Sequence, residues 1–437
     1  MNFLKIFQKK KSDNFNQNLI GESKVLFSKI WIQLLFPPFM LYFWGFENFN
    51  TWLFIFSVPQ LLLFYNIATT IPVRNELSIC YANKEFSKLK KIFNNSLITT
   101  SLNILLLILL YFVFLFLSKN NQIISENIYS ISILFISTII SLMCGIFYVA
   151  ISYKGNLSRY LNVEFKIDIL IPIFVPLTGI ITNNILYASI VYLLLVILKF
   201  FLLFRSIKDK NISLIPNINY IKIKVIKDIY KKSLGFNLEL ISMIIRNSGL
   251  IFILGLSNKL IFVGLISTAK TMFQHFPIRI FNILNNSLMI QFSSFYKNNK
   301  FDKKIRKLFF NSIIVILFFL FLFLSISYFF GVFIYDIWTN KNYNLTITLL
   351  LLIMLDTIFY ILGNFLIIHK KAINKYSKIS LIELFINLLT FFSIFIYANQ
   401  FTINKLYSLI VLSSFVILLI KFTDFIINFY FKKEYSY

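Results

Sequence analysis

The sequence predicts an all-α polytopic membrane protein, with about twelve transmembrane helices in two six-helix lobes related by a pseudo-two-fold axis along the membrane normal. Three observations predict it. The 437 residues are 58% hydrophobic with 54 Phe, and mean hydropathy is +0.78, far above the roughly 45–50% apolar content of a soluble domain. Apolar runs long enough to cross about 30 Å of hydrocarbon recur along the whole chain. Basic residues gather in alternate connections between those runs. Helices are required because lipid offers the backbone no hydrogen-bond partner, and a barrel would alternate apolar and polar residues.

Taken in order, the spans fall at 25–46, 51–72, 92–117, 128–152, 167–183 and 186–204 in the first half. The second half follows with 233–255, 262–290, 308–334, 345–368, 378–397 and 406–430. Residues 1–24, including "KIFQKKK", form a tail without an apolar core of signal-peptide length, so no cleaved presequence is expected. The longest connection, "RSIKDKNISLIPNINYIKIKVIKDIYKK" over 205–232, divides a lobe at 25–204 from a lobe at 233–431, with a tail at 432–437. Pro37 and Pro38 in the first span, and Pro172 and Pro176 in the fifth, remove intrahelical hydrogen bonds and are expected to kink those helices.

The net charge of +26 could suggest nucleic acid, but the placement of the charges excludes it. Most Lys and Arg lie in the two tails and in the loops after even-numbered spans. The intervening loops hold Lys119, Lys259, Lys341 and Lys405. This is the positive-inside pattern and puts both termini in the cytoplasm. Trp44, Trp52 and Trp338 fall near the outer boundary, where interfacial aromatics are expected. Cys80 and Cys144 suggest neither a disulfide framework nor a metal site. No "GxxxxGK[ST]" stretch is present, which argues against ATP hydrolysis by this chain.

A basic segment occurs twice, as "CYANKEFSKLKKIF" from residue 80 and "FYKNNKFDKKIRKLF" from residue 295. The register pairs Ser78 with Ser293, Tyr81 with Tyr296, Asn83 with Asn298, Phe86 with Phe301 and Lys88 with Lys303. Each copy follows the second span of its half, which points to an internal duplication. An even number of spans per half makes the repeats parallel. Transporters of that design hold substrate between the halves near the midplane.

Ionisable residues inside a span cost about 2.5–3.5 kcal/mol by insertion scales, so they mark partners or wet cavities. Glu239, Ser242, Arg246 and Gly249 share one face of the seventh span. Thr268, Thr271, His275, Arg279, Asn282 and Asn286 share one in the eighth; Asp356, Tyr360 and Asn364 in the tenth; Ser380, Glu383, Asn387 and Thr390 in the eleventh. The first half offers chiefly Lys29 with Gln33 and Pro37. Such faces suggest a water-accessible cavity. Arg246 and Arg279, then Lys29 and Lys270, are the candidates for binding an anionic group, because guanidinium forks match phosphate oxygens in pairs. The competing reading is a packing pair between Arg246 and Glu239. Lys199 and Lys421 read as snorkelling side chains, and His275 as a histidine satisfied by a neighbouring helix. Glu239, Asp356 and Glu383 are the candidate carboxylates for a coupling proton or sodium ion. No cofactor, catalytic residue or metal site is expected.

"GFENFNTW", with Gly45, Glu47, Phe49 and Trp52, resembles the first outer turn of bacterial polysaccharide (O-antigen type) flippases. "NIATTIPVRNELS", with Asn75, Glu76 and Leu77, resembles the end of their second helix. Asn66 and Ala68 stand where that family often shows Asp and Gly. These proteins are similar to multidrug and toxin extruders and share a superfamily of two-lobed transporters with them. The resemblance implies a non-enzymatic flippase moving polyprenyl-diphosphate-linked oligosaccharide across a bacterial inner membrane. The implied partners are membrane lipids, a polysaccharide polymerase and a chain-length regulator. A cation-coupled multidrug extruder is the alternative. A polysaccharide polymerase or glycosyltransferase fits less well, since the outer connections are short and hold little beyond Glu47, Glu126 and Asp336.

Overall fold

The computed structural model describes residues 12–62, 67–153, 157–206, 220–282, 284–285, 288, 302–372 and 376–427. They are mostly helical, without a strand among the described residues. We number the principal helices α1 (Ser12–Phe43), α2 (Phe46–Leu62), α3 (Ile67–Ala82), α4 (Phe86–Leu117), α5 (Ile128–Ser152), α6 (Leu157–Thr182) and α7 (Ile185–Ser206). Then come α8 (Ile223–Leu256), α9 (Leu260–Lys270), α10 (Asp302–Trp338), α11 (Ile347–Leu366), α12 (Ser377–Tyr397) and α13 (Ile403–Phe425). Ten of the described helices are long and apolar enough to cross a membrane, and the chain is a multi-pass membrane protein. Two further spans expected from the sequence map onto shorter pieces: α2 and α3 flank residues 63–66, and α9 runs into a π-helical turn at Thr271–His275.

Helix ends extend past the apolar runs wherever amphipathic sequence continues the turn. The structure starts α6 at Leu157 and α8 at Ile223, both earlier than hydrophobicity alone suggests. Polar first turns can stay helical because the apolar positions among them pack inward, as Leu161 does on α6. Pro37 and Pro38 lie within α1, and Pro172 and Pro176 within α6, each a continuous helix.

The chain forms two compact units, Met1–Leu240 and Ile241–Tyr437, so the division falls within α8. A core of the first unit joins Val73 and Leu77 of α3, Leu89 and Phe93 of α4, Val149 of α5 and Ile229 of α8. In the second unit Phe309 and Leu320 of α10, Phe365 of α11 and Phe425 of α13 pack together, with the Phe309 and Phe425 rings stacked at 4.8 Å.

The "GFENFNTW" stretch has a structural explanation. Gly45 adopts φ +90° between α1 and α2, where a side chain would be strained. Asn48 donates to the Trp44 carbonyl at 3.2 Å and to Asn183 Oδ1 at 3.0 Å. Trp44 and Trp52 are not lipid-facing interfacial anchors as expected; both are buried and their rings lie 6.0 Å apart. The reason is the close approach of Gly179, where an added Cβ would come within 2.7 Å of the Trp44 ring. In the first copy of the repeated segment, Lys84 turns the chain at φ +61° and the Glu85 amide donates to the Cys80 carbonyl at 2.8 Å. Residues 295–301 of the second copy lie outside the described residues.

Candidate functional site: two buried charge clusters

The polar faces of α8, α11, α12 and α13 meet inside the second unit, and Asp356 is their hub. Its carboxylate is fully buried. Arg246 Nη2 donates to Oδ1 at 2.6 Å and Ser414 Oγ donates to the same oxygen at 2.5 Å. Gln274 Nε2 and, at 3.4 Å, the Tyr407 hydroxyl donate to Oδ2. A carboxylate offers about four lone-pair positions, and four side-chain donors take them. Arg246 also donates to the Asp356 carbonyl at 3.1 Å and lies 4.2 Å above the Tyr360 ring. Its partner is therefore Asp356, on α11, rather than Glu239 on its own helix. Glu239 is half-buried in the first unit.

Lys270 ends α9 fully buried, and its ammonium donates to the backbone carbonyls of Arg246 at 3.1 Å and Asn247 at 3.3 Å. The π-helical turn that follows displaces the helix ladder by one residue. The Thr357 hydroxyl donates to the Phe273 carbonyl there at 3.1 Å. Arg279 is half-buried in the helical stretch beyond, as is His275 within the turn, while Asn286 lies outside the described residues. Arg246, Lys270 and Asp356 together carry one more positive than negative charge.

A second buried pair joins α12 and α13 in the same unit. Lys421 is buried, 2.7 Å from Glu383 Oε2 and 3.4 Å from Asn364 Oδ1. Lys421 therefore does not snorkel. The bare Cα of Gly363 lets its stem pass, since a Cβ there would lie 3.2 Å from Lys421 Cδ. Asn387 donates to Ser242 at 2.7 Å, joining α12 to α8. Within this unit the stripes pack against each other more than they line open space. The cleft beside Arg246, lined also by Asn387, Thr390 and Ser413, has a volume of ≈ 10 Å³, room for about one water.

The first unit holds a cluster that hydrophobicity patterns did not show. Glu164 Oε1 on α6 lies 3.8 Å from Lys29 Nζ on α1 and 3.7 Å from Lys199 Nζ on α7. The side chains are 42% exposed for Lys29, 16% for Lys199 and 17% for Glu164. Lys199 therefore shares a carboxylate instead of simply snorkelling. Asp168 is buried one helical turn further along α6.

The missed residues had signals. Tyr407, Ser414 and Lys421 are spaced by seven on α13, two turns apart on one face. Gln274 sits four residues after Lys270. Glu164 and Asp168 are also four apart, but Glu164 preceded the apolar run used to place the fifth span. No ligand-competent group of three His, Cys, Asp or Glu side chains occurs among the described residues.

Comparison with solved structures places this architecture. An inward-facing multidrug resistance MATE family transporter of the MOP superfamily superposes with TM-score 0.67, covering 92% of this chain and 93% of its own at 14% identity. The fold is that of the MATE transporters. A Vibrio cholerae MATE transporter gives TM-score 0.64 at 14% identity, over 97% and 99% of the two chains. An outward-facing multidrug resistance MATE family transporter gives 0.63 at 13% identity, over 97% of each. No family model matches the sequence, and no curated protein matches it. The two-lobed, all-helical MATE-type fold expected from the sequence is thus shown, and the identity level confines the likeness to fold.

Proposed function

We propose that this chain is an alternating-access transporter that extrudes small organic compounds, with both termini in the cytoplasm of a bacterial inner membrane. The observation that carries the reading is likeness along nearly the full length of both chains to multidrug resistance transporters in two access states. Buried ion pairs inside the membrane-spanning units fit a protein that exposes charge to water in one state and hides it in another.

Coupling to a proton or sodium ion belongs to the same proposal, and the candidate carboxylates Glu239, Asp356 and Glu383 differ in what an ion would have to do. At Asp356 it must displace Arg246 or another of four donors, and at Glu383 it must displace Lys421. Either event would change packing between helices, which is how ion binding can bias an access state.

Movement of polyprenyl-diphosphate-linked oligosaccharide is the second reading, and one observation favours it: the excess of buried cations formed by Arg246 and Lys270 over Asp356. Arg279, in the same unit, completes that candidate set for a diphosphate, and Lys29 is a separate candidate cation in the first unit. Expression in an efflux-deficient bacterium tests the first reading through resistance to lipophilic organic cations. Rescue of surface glycan in a flippase-deleted strain, without such resistance, would replace it with the second. An alanine at Arg246 that left transport unchanged at equal protein level would remove that residue from either mechanism.

A further inference from the structure

Buried charge in the second unit does not balance. Among its described residues Arg246, Lys270 and Lys421 are buried against Asp356 and Glu383, three cations to two carboxylates. Two of the cations are matched, Arg246 by Asp356 at 2.6 Å and Lys421 by Glu383 at 2.7 Å. The third, Lys270, meets the backbone carbonyls of Arg246 and Asn247, which are dipoles without net charge. A buried excess of this kind is strongly unfavourable unless a counter-charge offsets it.

Arg246 also brings an unused donor to a cleft of small size. Its Nη2 serves Asp356 and its guanidinium lies 4.2 Å from the Tyr360 ring centre. Its Nε–H is buried too, but has no acceptor among the described residues. Arg246 lines a cleft of ≈ 10 Å³ together with Asn387 and Thr390 of α12 and Ser413 of α13, closed on other sides by apolar side chains such as Leu250 and Ile410. That volume takes one water-sized particle. A halide is only a little larger than water, whereas a phosphate or a carboxylate, with several heavy atoms, does not fit.

We propose that this cleft binds a single chloride ion, which accepts hydrogen bonds from Arg246 and from the Thr390 and Ser413 hydroxyls and offsets the charge of Lys270. The two hydroxyls donate to the Ile386 and Ile410 carbonyls at 2.9 and 2.7 Å. Those carbonyls lie inside α12 and α13, where the helix ladder already supplies each with an amide, so turning a hydroxyl toward an anion gives up little. A water fits the same volume but leaves the charge excess untouched. Charge therefore selects the anion. The Asp356 carboxylate keeps its four donors with chloride in place, so the site is distinct from coupling at that residue and does not depend on what is transported.

The test follows thermal unfolding of the purified full chain in detergent, at constant pH and ionic strength, as sodium gluconate is exchanged for sodium chloride or sodium bromide. The expected result is a melting temperature that rises with either halide and saturates, as for a ligand bound by the folded state alone. Each of T390V and S413A should weaken the apparent halide affinity about tenfold, the worth of one hydrogen bond to a charge. Bromide-soaked crystals of the wild type should show anomalous density in the cleft beside Arg246. A melting temperature indifferent to halide overturns the proposal, as does a halide effect that both variants keep at full affinity. The crystal arm needs no substitution and decides the matter even if a variant misfolds: a bromide peak elsewhere, or none, overturns it as well.

Discussion

The two charge clusters use the same chemistry in opposite ways. In the second unit, Arg246 and Asp356 meet at 2.6 Å with side chains 4% and 0% exposed. In the first, Glu164 sits between two lysines at 3.7 and 3.8 Å, with side chains 16–42% exposed. The first arrangement saturates a carboxylate with donors and locks four helices together. The second leaves charges loosely matched and partly exposed. Burial decides the difference, because a charge deprived of its partner in a dry interior has nowhere to turn, whereas a partly exposed one is rehydrated.

The largest effect should therefore come from Asp356→Ala. It leaves Arg246 buried and unpaired, and a loss of about 3–5 kcal/mol is expected, read as a drop in thermal stability of the detergent-purified protein. Combining Arg246→Met with Asp356→Leu should recover most of that loss. A double variant as unstable as the single one would break the claim that unpaired charge is the cause.

Next in size is the Lys421 and Glu383 pair. Lys421→Met should cost about 2–4 kcal/mol by stranding Glu383. Gly363→Ala, which crowds Lys421 at 3.2 Å, should cost about 1–3 kcal/mol by overpacking. A neutral result at Gly363 would mean that the lysine stem has room to move.

A pH effect comes from outside the spans. His369, buried in the short helix Ile368–Ala372 with Nδ1 3.0 Å from the Leu366 carbonyl, is pushed down to about 4, first by burial and then by Lys370. The unfolded chain takes up this proton near pH 6.5 and the folded chain only near 4, so stability is full above about 6.5, falls as pH drops through that window and levels off below 4. Between pH 7 and 5 the expected loss is about 2 kcal/mol. Comparing wild type with His369→Gln over that range isolates the histidine, since the variant should lack this part of the slope.

The smallest effect belongs to the loose cluster. Glu164→Gln should change stability by less than about 1 kcal/mol, and added salt should shrink the difference further. A cost as large as that at Asp356 would show that exposure is a poor guide here and would collapse the contrast between the units.

Legibility in the sequence followed the same division. The helical membrane fold was readable because lipid imposes one rule on every span. The stripes on the seventh, tenth and eleventh spans singled out Arg246, Asp356 and Glu383, and all three are buried. Periodicity could not say which cation would face which carboxylate: Glu239 shares a helix face with Arg246, but Asp356 reaches it from α11. Glu164 was hidden because it precedes the apolar run at 167–183 that placed the fifth span. Trp44 and Trp52 misled for a related reason, since composition marks an aromatic near a boundary but not the glycine on α6 that buries it.

The central claim is that the chain moves organic compounds through a MATE-type fold. Purified protein in sealed vesicles, loaded with a fluorescent lipophilic cation and given an imposed proton or sodium gradient, tests it most directly. The account predicts gradient-driven movement of the cation above that in empty vesicles, lost when the gradient is collapsed. Movement no faster than in empty vesicles, with correctly folded protein and both gradients applied, would contradict it.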